Sequence, residues 1–504
     1  MPLYPDVLRT APRLHHALRP LAVASLLGLA MTANAENLVD VLAAADANDP
    51  QWSAVRASYE ARKQVLTQGR SGLLPSVVAS GDISQNEREV SGTPGYTTDY
   101  DETVLALQAT QPLLRFDRWF TYQTARASRS QVDAELVNAE QEFLVRVTET
   151  YLGVLRASEQ LAYARAEETA LARQLEQAKQ RFHVGLIAIT DVHETQAAYD
   201  LAKVGLIVAE SQLSVARARL QTLTGKRYTQ LAFPGEDMPA ELPPPEGAEA
   251  WAAKAREGNS QLIAARHAAR AAHQSARAAG AGHLPTVDAY ARIAETETLD
   301  TSGSSGPSPS EVDISSQSIG IRVEWPLFAG GAITSKRKQA YAESDAAQEN
   351  LRAAEINAVE GARTQYQVVQ ADVLRVAARK QAIVSAQSAL DATQAGYEVG
   401  TRNIVDLLQA QRNAFAARRD LANARYDYII DLLQLHRAAG SLSREAITAH
   451  NQWLNVTLAL DNGSPVVDPN AVVGQPAAGA GAPSPAAAAP AGDPAAGPAL
   501  APAP

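Results

Sequence analysis

Two hydrophobic patterns alternate along this chain. In residues 287–293, Val287, Ala289, Ala291 and Ile293 fall on one side, and Asp288, Tyr290 and Arg292 on the other. In residues 318–325, Ile319, Ile321, Val323 and Trp325 oppose Ser318, Gly320, Arg322 and Glu324. A period of two places such sets on opposite faces of a strand. A fainter version runs through Val77, Ala79, Gly81 and Ile83, then Leu105, Leu107 and Ala109. Four strands are predicted, near residues 75–87, 102–112, 285–296 and 315–326. Residues 115–183 and 331–398 behave differently. They contain no Pro, and Ala, Gln, Glu and Arg dominate, all good helix formers. Leu144, Val147, Tyr151 and Leu155 mark one helical stripe. An unbroken helix over either run would reach roughly 100 Å at 1.5 Å per residue, more than one compact domain can bury.

The same order of parts occurs twice. Phe182-His183-Val184-Gly185 is answered by Tyr397-Glu398-Val399-Gly400, and Ile189-Thr190-Asp191 by Ile404-Val405-Asp406, at an offset of about 215 residues. Gly72-Leu73-Leu74-Pro75 is answered by Gly282-His283-Leu284-Pro285, and Gln111-Pro112-Leu113 by Trp325-Pro326-Leu327. Shared Gly and Pro punctuation is hard to obtain from Ala-rich composition alone. Each copy predicts a helix, two strands, a long helix, a turn (184–190 or 399–404) and a returning helix. The chain divides into a signal peptide at 1–35, a first repeat at 36–226, a linker at 227–248, a second repeat at 249–441, a further segment at 442–462 and a tail at 463–504. The tail is Pro, Ala and Gly with almost no charge, which predicts a flexible segment.

The N-terminus changes the picture. Arg9, Arg13 and Arg19 precede a short apolar run from Leu21 to Ala30, and Ala33-Asn34-Ala35 is a small-x-small cleavage site. This reads as an export signal, the run being short for a membrane anchor. No later run is long enough for a membrane helix, so a membrane location would require a β-barrel, because lipid admits only helices and closed barrels. The alternating strands suit lipid on one side and water on the other, and equally a half-buried hairpin; the export signal and the missing soluble core partner favour the barrel. The polar run Thr301–Pro307 then reads as an extracellular loop. Four strands cannot close a conducting barrel, since the smallest use about eight. The barrel must therefore be shared between chains. The formal charge of -10 argues against a nucleic-acid partner, and the absence of cysteine excludes disulfides, thiolate metal sites and cysteine nucleophiles.

Candidate chemistry is sparse. No nucleophile elbow, Walker loop, zinc-type His pair or dinucleotide loop occurs, so no enzyme, metal or cofactor is expected. His183, Asp191, His193 and Glu194 cluster in sequence, but His183 is answered by Glu398 and His193 by Leu408, so the repeated unit does not require imidazole there. A solvated turn accounts for them. A non-conducting coiled-coil scaffold of the envelope is the alternative to a channel; it explains the helices but not the strands.

The run Val184-Gly185-Leu186-Ile187-Ala188-Ile189-Thr190-Asp191-Val192, together with Tyr397-Glu398-Val399-Gly400-Thr401-Arg402-Asn403-Ile404-Val405-Asp406, resembles the two helix turns of the TolC-type family of outer-membrane efflux and type I secretion channels. Glu36-Asn37-Leu38, Gly282-His283-Leu284-Pro285-Thr286 and Leu421-Ala422-Asn423-Ala424-Arg425-Tyr426 are similar as well, and the likeness spans nearly all of residues 36–445. It implies a mainly α fold with membrane β. Three chains would share a 12-stranded outer-membrane barrel and a long periplasmic helical tunnel, with 227–248 and 442–462 as equatorial segments. It implies a homotrimer in outer-membrane lipid that docks through a periplasmic adaptor to an inner-membrane RND pump or ABC exporter. It would pass drugs, small molecules or secreted proteins, with no cofactor. Gly185, Leu186, Gly400 and Thr401 would face the adaptor. Thr190, Asp191, Tyr397 and Arg402 would close the periplasmic entrance. The hydroxyl of Tyr397 and the charge of Arg402 belong to the second copy alone, Phe182 and Ile187 standing in the first, and this asymmetry favours a gate. The family carries two aspartates three residues apart at its entrance. Here the first is Asp406 and the second is replaced by Gln409, which puts a two-ring cation site in doubt.

Overall fold

The computed structural model describes residues 36–459 except 94, 236–237 and 301–310. The export signal, the Thr301–Pro307 loop and the tail from 463 lie outside the described residues. Three short helices open the chain: α1 (Leu38–Asn48), α2 (Pro50–Arg62) and α3 (Val65–Ser71). Asn37 and Asp40 cap α1 reciprocally, and Asp49 caps α2 just before Pro50. Strands β1 (Ser76–Val90) and β2 (Tyr96–Leu114) follow, then the 68-residue α4 (Phe116–His183) and the returning α5 (Ile189–Thr224). After β3 (Gln230–Pro234) the order repeats: α6 (Ala248–Gly258), α7 (Ser260–Gly280), β4 (Thr286–Asp300), β5 (Glu311–Glu324), the 67-residue α8 (Ala332–Glu398) and α9 (Ile404–Ala438). The described chain closes with α10 (Arg444–His450) and β6 (Leu454–Ala459), and β6 pairs with β3.

The four long strands form one antiparallel sheet in the order β1-β2-β4-β5. Its register gathers the apolar positions of both copies on one face. Val77 lies opposite Ala109, Ala109 opposite Ala291, and Ala291 opposite Ile319; Ala79, Leu107 and Ile293 make the next row. Val287–Val323 and Ala289–Ile321 complete the set. Most of these side chains are exposed, Ile319 to 87 %, while Ala109, Val287 and Ala289 are half-buried. The other face is mainly polar, although Val78, Val104 and Ile314 also lie on it. Arg322 opposes Asp288 and lies over the Tyr290 ring at 5.4 Å, while Arg115 holds Asp288 at 3.1 Å. The strands outrun the apolar alternation: the apolar face passes into Glu295, Glu297 and Asp313, and pairing continues through them. Backbone ladder bonds, unlike the hydrophobic pattern, do not depend on side-chain type. Trp325, expected as a strand residue, lies one residue past β5. Pro326 follows it and has no N–H to extend the ladder, and the Trp325 indole donates to the His283 carbonyl at 3.2 Å.

The helices run away from this sheet. α4 lies against α5, α7 and α9, and α8 against α7 and α9. The main core wraps the middle of α4. Leu144, Val147, Tyr151 and Leu155 are wholly buried, and Trp52 stacks on Phe143 with centroids 5.1 Å apart. The Tyr151 hydroxyl donates to the Ala232 carbonyl at 2.5 Å, which ties the β3–β6 pair to the long helix. Among the described residues, no helix is long and apolar enough to cross a membrane.

Candidate functional site

The sheet and the far tips of the two helical hairpins carry the predicted site residues. Each tip turns on a left-handed glycine, Gly185 at φ 75° and Gly400 at φ 78°. At the first, Leu186 N–H donates back to the Arg181 carbonyl at 2.9 Å. At the second, Thr401 and Arg402 N–H both donate to the Gly396 carbonyl, at 2.8 and 3.1 Å. Positive φ at these positions favours glycine and satisfies the last helical carbonyls. Val184, Leu186 and Val399 stand exposed around the turns, Leu186 to 73 %. A small second core lies behind them: Leu171, Ala198, Ile404, Leu407 and Leu408 are buried, with Tyr397 packed against them.

Thr190 and Asp191 fall in the first turn of α5, and the Thr190 hydroxyl reaches the Asp191 carboxylate at 3.4 Å. Asp406 occupies the matching position of α9, where Asn403 accepts its backbone N–H at 2.7 Å. Arg402 meets Asp406 at 3.7 Å and remains 61 % exposed. Neither Tyr397 nor Arg402 hydrogen-bonds to Thr190 or Asp191 within one chain. Gln409 donates to Asn413 at 2.9 Å and accepts from Arg412 at 3.0 Å. Sequence reasoning missed Arg181, whose guanidinium lies 5.4 Å from the Tyr397 ring centre and so links α4 to α8 at the tip. The repeat held the signal: Arg181 is answered by Gly396, the same kind of asymmetry that singled out Arg402. His183, Asp191, His193 and Glu194 form no metal-binding group among the described residues.

The sequence pattern of outer membrane efflux proteins matches residues 41–226 and 251–441. The chain belongs to the outer membrane efflux protein family. It is 36 % identical over 445 residues to the outer membrane protein TolC of Vibrio cholerae serotype O1, which covers 87 % of this chain and 99 % of that protein. It is 30 % identical over 429 residues to the alkaline protease secretion protein AprF of Pseudomonas aeruginosa, covering 83 % of this chain and 87 % of that one. The Campylobacter jejuni CmeC outer membrane channel superposes with a TM-score of 0.68 at 16 % identity, over 84 % of this chain and 90 % of that one. This outer membrane efflux protein is an outer-membrane channel-tunnel for efflux or type I secretion, with its helices extending into the periplasm. Membership disfavours the coiled-coil scaffold, since the related proteins are channels and secretion proteins.

Proposed function

We propose that three copies of this chain close one barrel and one tunnel, and that the hairpin tips form a closable periplasmic entrance. The observation that carries this reading is the isolated four-stranded sheet. Its apolar face ends in two edges, β1 and β5, that pair with no further strand among the described residues. Open edges are not viable in lipid, so neighbouring copies must supply the pairing. Along β4, the apolar face from Val287 to the first acidic position, Glu295, is about nine residues, the length a tilted membrane strand needs. Exposed Leu201, Val204, Val208 and Val215 on α5, and Ile356, Leu374 and Val384 on α8, offer apolar edges for the neighbouring copies of the tunnel wall.

At the entrance, Arg402 keeps free donors, and Tyr397 is held by its ring alone. Thr190 and Asp191 of a neighbouring hairpin are suitable acceptors for both. The exposed knobs at Gly185-Leu186 and Gly400-Thr401 are the docking surface for a periplasmic adaptor, which couples the duct to an RND pump or an ABC exporter. The protein acts as a duct for drugs, small molecules or secreted proteins, not as an enzyme, and uses no cofactor.

Single-channel recording in planar bilayers tests the entrance. Tyr397→Phe with Arg402→Ala removes two side-chain bonds per copy, each of a kind worth roughly 0.5–3 kcal/mol. Single-channel conductance should rise. Unchanged conductance in an inserted trimer would leave these residues with a structural role only. Cation block is a separate readout. Asp406→Asn should weaken block by a trivalent cation added from the periplasmic side, and Gln409→Asp should strengthen it, because each changes the entrance by three charges near the axis. The Gln409 effect has a structural competitor, since Arg412 already bonds that side chain. If neither substitution moves block or ion preference, the selectivity ring lies elsewhere.

A further inference from the structure

The second hairpin contains a buried acid cluster with no counterpart in the first. Asp372 of α8 is 0 % exposed, and neither of its carboxylate oxygens has a hydrogen-bond donor in good geometry. Arg375, one turn along the same helix, approaches at 2.8 Å. The other charges acting on Asp372 are Asp431 and Asp427, both from α9. Asp427 is already engaged by Arg156 of α4 at 2.6 Å. Asp431 accepts from Gln365 at 3.1 Å and lies within hydrogen-bonding reach of Asp372. Further along the α8–α9 seam, Arg379 is matched by Asp420 at 2.9 Å. The charges that α6 brings to α8 are also matched, Glu249 by Arg363 at 2.8 Å and Arg256 by Glu355 at 3.8 Å. Two carboxyl groups can share a hydrogen bond only if one is protonated. About 215 residues earlier, the equivalent positions in α4 and α5 are Ala157 and Ala216.

We propose that Asp372 and Asp431 are a proton-operated clasp between α8 and α9. With one proton shared, the helices pack as seen here; when the proton leaves, two like charges face each other in a buried seam and loosen α8 from α9 within the second hairpin. The clasp lies about 40 Å, at 1.5 Å per residue, from the tip that carries Tyr397 and Arg402. Burial, then the neighbouring Asp431 carboxylate, pushes the Asp372 carboxyl up to about 7. A raised carboxyl pKa in the packed state means that this state holds a proton the open state has lost. Packing is therefore strongest at low pH and weakens as pH rises from the ordinary carboxylate range to about 7, beyond which the dependence flattens.

Hydrogen–deuterium exchange on the detergent-solubilised full chain tests the clasp without any assumption about the entrance, and bilayer recording reads the entrance separately. After correction for intrinsic base catalysis, opening of segments 365–376 and 424–435 should increase about tenfold between pH 6 and pH 8, then level off. The corresponding segments of α4 and α5 should stay flat. Asp372→Asn should remain protected with no pH dependence. Asp372→Ala with Asp431→Ala, which copies the first hairpin, should also be flat and guards against a folding defect in the amide variant. A flat wild type, or a dependence that survives both variants, overturns the proposal.

Discussion

Ile319→Arg should prevent insertion into the outer membrane, while Ser318→Arg, one residue away, should leave insertion intact. Ile319 sits in the row Val77–Ala109–Ala291–Ile319 on the exposed apolar face, and Ser318 in the row Val78–Gln108–Arg292–Ser318 on the polar face. An arginine facing lipid near the bilayer midplane costs about 2–4 kcal/mol. Three copies in one barrel would raise this to roughly 6–12 kcal/mol per assembly, comparable to the whole stability of a typical domain. On the opposite face a second arginine beside Arg292 meets water. Outer-membrane fractionation, with heat-modifiable mobility on gels as the mark of the assembled trimer, reads both variants. Equal insertion of the two would show that this face does not meet lipid.

The second large effect is expected far from the membrane. Gly440→Ala should abolish folding, whereas Gly225→Ala, at the equivalent position of the first copy, should be tolerated. Both residues end a helix in the left-handed region, at φ 70°, so each alanine bears a backbone cost of about 1–2 kcal/mol. The surroundings separate them. A Cβ on Gly225 would meet the Asn48 side-chain oxygen at 3.1 Å, and that side chain can shift. A Cβ on Gly440 would lie 1.9 Å from the Gly258 carbonyl oxygen and 2.7 Å from the Asn259 nitrogen, both backbone atoms. The end of α6 is pinned against α9 there, with the Asn259 amide donating to the Ala438 carbonyl at 2.9 Å. Relief would require α6 to leave the core that holds Trp251, at a cost of more than about 4 kcal/mol. Thermal unfolding of the detergent-solubilised chain compares the two, and similar losses would mean that the α6–α9 approach is looser than drawn.

Both predictions depend on different amounts of information in the chain. The sequence by itself determined the periodicities: two in the strands, helical in the long runs, with Gly185 and Gly400 punctuating the tips. These follow from local stereochemistry and one-sided burial, so they survive without coordinates. The repeat also exposed which residues belong to one copy only, among them Tyr397 and Arg402. Tertiary structure alone decided that both copies place their apolar strand positions on a single face, since this depends on the β2–β4 register across 170-odd residues of chain. It alone brought Arg181 over Tyr397, Asp372 to Asp431, and Gly440 against Gly258. None of these pairs has a local signature, because each contact joins elements whose spacing is set by packing rather than by sequence distance. The strand ends were illegible for the opposite reason. Backbone pairing carried β4 and β5 through Glu295, Glu297 and Asp313, where no apolar pattern marks a strand.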